Sequence, residues 1–309
     1  MIYPAVPTVW LTGANGQIGR HIARLLAPHV RLIATTRHDT DIANRAAVWR
    51  TAAAVSPHII INAAAFTRVD EAEHQPEAAF AANAQGAAHL AQAAHALGAV
   101  LIHLSTDYVF DGNQNRPYRE YDPPAPLNRY GSSKLAGEQL IARYCPRHLI
   151  IRTAWVFDHH SGFVHAILTQ ARQHQHLNVI ADRFGSPTYA GDVAAAVCHI
   201  AQRALSAPES LPYGVYHYAG ATHTSWFGLA QSLCQTALRQ RLLTRLPQIH
   251  PIAAADYPSP APRPIQSRLN SDKITRTFGI PPCDWQHALA RCLANSTDTP
   301  LCFNTQDNT

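Results

Sequence analysis

Short apolar runs alternating with alanine-rich amphipathic stretches fill the first half of the chain, and few folds accommodate that rhythm. Residues 9–12 are apolar and end at a glycine; 31–35, 59–62, 100–105 and 149–152 are further runs of strand length. Between them, 17–27 sets Ile18, Ile22, Leu25 and Leu26 at helical spacing, 77–97 reads as a long helix and 130–144 as another. Strand alternating with helix predicts a parallel sheet covered on both faces, with right-handed crossovers. The expected fold class is α/β: a doubly wound parallel sheet of the Rossmann kind with a smaller C-terminal substrate-binding region. Residues 1–156 are expected to form a dinucleotide-binding domain completed by 190–220, 157–294 the substrate region, and 295–309 a flexible tail.

After residue 156 the rhythm loosens. Helices are expected over 162–173, 191–205, 225–239 and 284–294, and strands near 178–181 and 213–218. Six prolines between 247 and 264 predict a loop that wraps a surface or lines a site, because proline breaks both helix and central strand.

Composition narrows the function. With 47% hydrophobic and only 15% charged residues, the 309-residue chain can bury a large core. Its net charge of +5 comes from scattered arginines rather than a basic run, so no nucleic-acid partner is expected. No stretch is long and apolar enough to span a membrane, and no secretory signal is visible. Six cysteines (Cys145, Cys198, Cys234, Cys283, Cys292, Cys302) show neither CxxC nor zinc-ligand spacing, and read as free thiols in the cytoplasm. Of 19 histidines, His159-His160 and His174/His176 tempt a metal reading. No carboxylate or thiol completes either set in sequence, so no metal is expected and these groups read as solvated surface.

The first strand runs into Gly13-Ala14-Asn15-Gly16-Gln17-Ile18-Gly19, and a helix opens directly after. Gly13 would permit the tight turn, Gly16 the approach of a pyrophosphate, and Gly19 close helix–strand packing; the helix N-terminus offers N–H groups and a positive dipole end. At the end of the second strand stand Thr35-Thr36-Arg37-His38. An acidic residue there would accept from a ribose 2′-hydroxyl, whereas Arg37 can pair with a 2′-phosphate, so the reading leans to NADPH, with NADH open.

Tyr130 and Lys134, four residues apart, share one helix face. A neighbouring ammonium is expected to favour the phenolate of Tyr130, which then exchanges a proton with a carbonyl oxygen. Lys134 is one of only two lysines in the chain, the other being Lys273. The fourth strand ends in Ser105-Thr106-Asp107-Tyr108, where a doubly wound fold binds ligands. Thr106 is expected to bond the reacting oxygen and Asp107 a sugar hydroxyl. Trp155 leaves the fifth strand at the same edge, and its indole suits a sugar ring or a plain core equally. Arg263 and Arg268, in and just after the proline-rich stretch, are candidates for a diphosphate, with ordinary surface arginines the alternative.

In order along the chain stand GANGQIG, INAAAFTRVDEAE, STDYVFDG, PLNRYGSSKLAGE, LIIRTAWVF, DRFGSPTYAGDVA and YPSPAPRPIQSRLN. Together they resemble the dTDP-4-dehydrorhamnose reductase family of the extended short-chain dehydrogenase superfamily, over about residues 9–290. The resemblance implies reduction of the C4 ketone of dTDP-4-dehydro-L-rhamnose by hydride from NAD(P)H. It implies cofactor contacts at Gly16, Gln17, Ile18, Asp41, Ile42, Ala65, Phe66 and Thr67. Tyr130 and Lys134 would serve cofactor and chemistry, and Thr106, Asp107 and Trp155 the sugar. Similar enzymes usually carry an acidic residue near Thr36, and some dimerise through a magnesium site built from glutamates near the glycine loop. Arg20 and His21 follow that loop here, so neither that metal nor that dimer is expected, while a homodimer stays open. Two further readings stay open: a sugar-nucleotide epimerase or dehydratase of the same superfamily, and a non-catalytic subunit similar to the regulatory subunit of methionine adenosyltransferase.

Overall fold

The computed structural model describes residues 6–294; the expected tail at 295–309 lies outside them. The first half runs β1 (Thr8–Thr12), α1 (Gln17–Leu26), β2 (Arg31–Thr35), α2 (Arg45–Val55), β3 (Ile59–Asn62), α3 (Val69–His74), α4 (Pro76–Phe80), α5 (Gly86–Ala96), β4 (Val100–Thr106), α6 (Arg129–Tyr144) and β5 (His148–Thr153). The second half adds β6 (Val156–Phe157), α7 (Gly162–Gln173), β7 (His176–Ile180), β8 (Phe184–Gly185), β9 (Thr188–Tyr189), α8 (Ala190–Ser206), β10 (Gly214–His217), β11 (Thr224–Ser225), α9 (Trp226–Arg239), β12 (Gln248–Ile252), β13 (Gln266–Ser267), α10 (Asp272–Phe278) and α11 (Trp285–Ala294).

Six strands form one parallel sheet in the order β10-β5-β4-β3-β1-β2. The chain lays β2 on one side of β1 and β3 on the other. A crevice therefore opens above the carboxyl ends of β1 and β3, where such sheets bind ligands. The inner strands β1, β3 and β4 are buried along their whole length, which is why they read as unbroken apolar runs. Their side chains alternate between two cores. Val9, Leu11, Ile59, Ile61 and Ile102 join α1, α8 and the C-terminal helices. Trp10, Ile60, Leu101 and Ile150 join α2, α5 and α6.

Two of the expected elements take a different form. The long helix expected at 77–97 is divided: a π-helical segment, Ala81–Gln85, separates α4 from α5. Its cause is close contact with α6. A Cβ on Gly137 would lie 2.1 Å from the Asn83 carbonyl oxygen, so the two helices touch backbone to backbone. The widened turn also aims Asn83 at the loop after β3: its Oδ1 accepts from Phe66 N (2.8 Å), and its Nδ2 donates to Phe66 O (3.0 Å) and Ser133 Oγ (2.9 Å). The proline-rich stretch, expected to be wholly loop, contains β12, paired in parallel with β7 in a two-stranded sheet. A two-stranded sheet leaves each strand an outer edge, so Pro251 sits inside β12 without removing a needed donor.

Gly137→Ala is expected to lower stability by about 1–3 kcal/mol, the usual cost of overpacking, because the obstacle is backbone that cannot rotate away. Thermal and urea unfolding read this directly; a variant as stable as the parent would show that α6 and the π segment can part freely.

Candidate active site

The glycine loop is shaped by contacts that exclude side chains. Gly13 takes φ +71°, and a Cβ there would stand 2.5 Å from the Ala64 nitrogen. A Cβ on Gly19 would lie 2.1 Å from Gly13 O, so α1 packs directly on the turn. Gly16 caps α1 without a side chain, leaving the first-turn N–H groups to face the crevice. Below them opens a cavity of about 1020 Å³. Gly13, Gly16, Gln17 and Ile18 line it from the loop, Arg37, Asp41 and Ile42 from beyond β2, and Ala65, Phe66 and Thr67 from beyond β3. Gly19 serves packing rather than lining. The bare helix end and long trough fit a dinucleotide.

Arg37 is exposed, with Nε 3.4 Å from Asp41 Oδ2, a weak surface pair that a phosphate can displace. An acidic group does stand by Thr36: Asp39 accepts from its N and Oγ1, each at 2.8 Å, and these hydrogen bonds hold the Asp39 carboxyl below the usual range.

At the other end of the cavity lie Thr106, Asp107, Tyr130, Lys134 and Trp155. Asn128 caps α6, its Oδ1 accepting from Gly131 N at 2.8 Å. A Cβ on Gly131 would sit 2.2 Å from Tyr108 O, so the start of α6 presses on the segment after β4. That contact brings the Tyr130 phenol within hydrogen-bond reach of the Thr106 hydroxyl. The Tyr130 ring meets the Tyr108 ring edge-on, centroids 5.6 Å apart.

The charge state of Tyr130 differs from the expectation. Lys134 was expected to draw the phenol toward phenolate. Its Nζ instead donates to Leu104 O (2.6 Å) and lies 3.1 Å from His103 Nε2. Burial dominates at Tyr130 and, with Asp107 and Tyr108 adding to it, raises its pKa despite the Thr106 hydrogen bond. The phenol is held protonated. Burial also pulls Lys134 down to about 8, with Glu138 opposing it.

Burial raises Asp107 to about 7, against the hydrogen bonds of Ser267 and Thr106. Its Oδ1 accepts from Thr106 Oγ1 at 3.1 Å, while the buried Oδ2 has no partner. Trp155 adopts φ +44° and lies flat on Trp226, centroids 3.6 Å apart and planes 7° from parallel. Its Nε1 donates to Ser267 Oγ at 2.9 Å.

Arg263 and Arg268 are not among the cavity-lining residues. Arg263 donates to Asp70 (2.7 Å) and bonds the Tyr108 side chain at the rim, whereas Arg268 donates to Asn115 O (2.7 Å). The sequence reading passed over Trp226, Ser161 and Gly162, which also line the cavity. Gln17 Nε2 donates to Ser161 Oγ at 2.7 Å, closing the loop 158–162 onto the glycine turn. The same loop corrects the expectation for His159. It is not solvated surface lacking companions: ligand-capable atoms of Asp158, His159 and Cys292 lie within 4.8 Å of one another. Asp158 also pairs with His21 at 3.2 Å; although burial opposes it, hydrogen bonding by His21 holds that carboxyl far below its usual range. His176 contacts His250 at 3.1 Å.

Comparison with known proteins agrees with this geometry. The family model described as the RmlD substrate binding domain matches residues 7–298. The dTDP-4-dehydrorhamnose reductase of Aggregatibacter actinomycetemcomitans is 40% identical over 282 residues, 90% of this chain and 96% of that protein. That of Escherichia coli K12 is 40% identical over 290 residues, 92% and 96% of the two chains. The crystal structure of dTDP-4-dehydrorhamnose reductase from Bacillus anthracis, solved in complex with NADP, superposes with a TM-score of 0.85 at 31% identity, covering 93% of this chain and 98% of that one. This chain belongs to the RmlD substrate binding domain family.

Proposed function

We propose that the protein is a dTDP-4-dehydrorhamnose reductase, transferring hydride from NADPH to the C4 ketone of dTDP-4-dehydro-L-rhamnose to give dTDP-L-rhamnose. The observation that carries this reading is the convergence of Tyr130, Thr106 and Lys134 at one end of a trough whose other end is the uncapped glycine loop. The relatives named above support the choice of substrate. The sheet half of the chain takes the cofactor, and 157–294 closes over the sugar nucleotide.

The nicotinamide, when bound, supplies the hydride. As the ketone oxygen gains charge, Tyr130 Oη gives it a proton, and the Thr106 hydroxyl turns its hydrogen from Asp107 Oδ1 to the same oxygen. Burial keeps the phenol loaded with that proton at neutral pH. Lys134, as the ammonium, holds the nicotinamide ribose and steadies the phenolate left behind. The unpartnered Oδ2 of Asp107 accepts from a sugar hydroxyl, and Trp155, at the same end of the cavity, borders the ring. Arg263, at the rim beside Tyr108, neutralises the diphosphate, and Arg37 the 2′-phosphate of NADPH.

NADPH oxidation measured with dTDP-4-dehydro-L-rhamnose and with uridine-linked 4-keto sugars tests the assignment; absence of turnover with the first would sink it. Tyr130→Phe should cut kcat at least about 100-fold while NADPH binding survives, since only the proton donor is lost. In the parent, kcat/KM should fall above about pH 8, because rising pH strips the proton from Lys134. Arg37→Ala should weaken NADPH about tenfold or more and leave NADH nearly unchanged, as expected for one hydrogen bond to a charged group. A raised carboxyl pKa costs stability as pH climbs from the unfolded value towards about 7, so Asp107→Asn should unfold at a higher temperature than the parent at pH 8 and near the same temperature at pH 4. Melting curves at the two pH values check this.

A further inference from the structure

One polar row crosses the sheet beneath α6. Thr12, Asn62 and His103 are register partners on β1, β3 and β4, and each is 1% exposed. Thr12 Oγ1 donates to Asn62 Oδ1 at 2.8 Å, and Ala64 N donates to the same oxygen at 3.1 Å. Two donors on one atom fix the amide: Oδ1 faces β1, and Nδ2 faces β4. Nδ2 lies 2.9 Å from His103 Nδ1. An amide nitrogen can only donate, so His103 Nδ1 carries a bare lone pair. Burial, with the charges of Lys134 and His148 adding to it, holds the ring neutral. A neutral imidazole with a bare Nδ1 has its hydrogen on Nε2. That hydrogen is directed at Lys134 Nζ, 3.1 Å away. An ammonium has no lone pair to receive it, whereas a free amine receives it and still donates to Leu104 O at 2.6 Å.

We infer that His103 is a positioning residue for Lys134: locked in its Nε2–H form by the Thr12–Asn62 relay, it donates to the lysine nitrogen and biases that side chain toward the free amine. The inference deepens the reductase reading and rests on it for its kinetic consequence. The other charges around the amine do not replace this control. Glu138, one turn along α6, favours the ammonium, but its carboxylate is committed to Arg152 at 2.6 Å and Ser105 at 2.5 Å. Tyr130, one turn back, is neutral. His148, at the start of β5, acts on His103 rather than on the lysine. His103 therefore sets where the lysine changes charge, close to neutrality, so that the residue can pass a proton back toward Tyr130 after each turnover.

His103→Leu tests this. The leucine fills much of the same space and removes the Nε2–H donor, so the free amine loses the hydrogen bond that favours it. The alkaline edge of kcat/KM should move up by about one pH unit, a tenfold tighter hold on the proton. An edge that stays in place while kcat falls would assign His103 a merely structural role and overturn the inference. Independently, ¹⁵N NMR of histidine-labelled parent protein, with His103 identified by the signal the variant loses, should show a protonated Nε2 and a bare Nδ1. The opposite tautomer overturns the inference even in an active enzyme. This readout needs no turnover, so it stands if the variant misfolds and separates failure here from failure of the reductase reading.

Discussion

The placement of α6 on the sheet governs the site. Tyr130, Lys134 and Glu138 recur every fourth residue, so they form one stripe on the helix. All three are buried, and each meets polar groups at the carboxyl end of β4 or β5. The anchor is Glu138 against Arg152, joined through three contacts between 2.6 and 3.2 Å with both side chains 5% exposed. Ser105 donates to the same carboxylate, and the Arg152 guanidinium lies 5.1 Å from the Phe110 ring centroid. Breaking one partner of such a pair leaves an uncompensated charge in the core, at about 3–5 kcal/mol. The pair thus resists any slide of the helix, and Lys134 and Tyr130 inherit its register.

Beneath that stripe the sheet changes character along its strands. The row Trp10, Ile60, Leu101 is apolar. Two residues on, the same face carries Thr12, Asn62 and His103, and two further along β4 comes Ser105, beside Arg152 and His217. The strands end polar where the crevice opens, so the helix covering them must be apolar at one end and chargeable at the other. His217, pushed down to about 3 by burial and Arg152, is a neutral member of this layer. Glycine sets the heights: Gly131 and Gly137 let α6 descend to backbone contact with Tyr108 and Asn83.

The doubly wound sheet was legible because each inner strand is buried on both faces and each following helix has an apolar side. The Tyr130–Lys134 pairing was legible for the same local reason, a four-residue spacing. Their charge states were not. Whether an ammonium stabilises a phenolate or is drawn elsewhere depends on where its hydrogens point, and Leu104 O takes one across a tertiary contact. Asn62 and His103 carried a signal that went unread: single polar residues inside otherwise apolar strands, one strand apart. The 158–162 loop carried none, since its partners Gln17, His21 and Cys292 are distant in sequence. Helix α2 escaped notice because its alanine-rich sequence gives only a weak amphipathic pattern, and burial of Val48 and Ala52 against the sheet holds it.

The smaller C-terminal region earns its place through Trp155. A tryptophan at φ +44° is strained, and such a conformation persists only where surroundings over-determine it. The surroundings are the three-stranded sheet β11-β8-β13. Trp226, directly after β11, supplies the flat face against the indole; Gly185 of β8 lies so close that a Cβ there would stand 2.2 Å from the Trp155 ring; Ser267 of β13 accepts from its Nε1. Each strand of the sheet therefore fixes one degree of freedom of a single side chain at the cleft. Ser267 also lies near enough to the Asp107 carboxyl to lower its pKa against burial, so one hydroxyl acts on both the indole and that carboxyl. A displacement of β13 would move that hydroxyl away from both, and so couples the three-stranded sheet to the carboxyl end of β4.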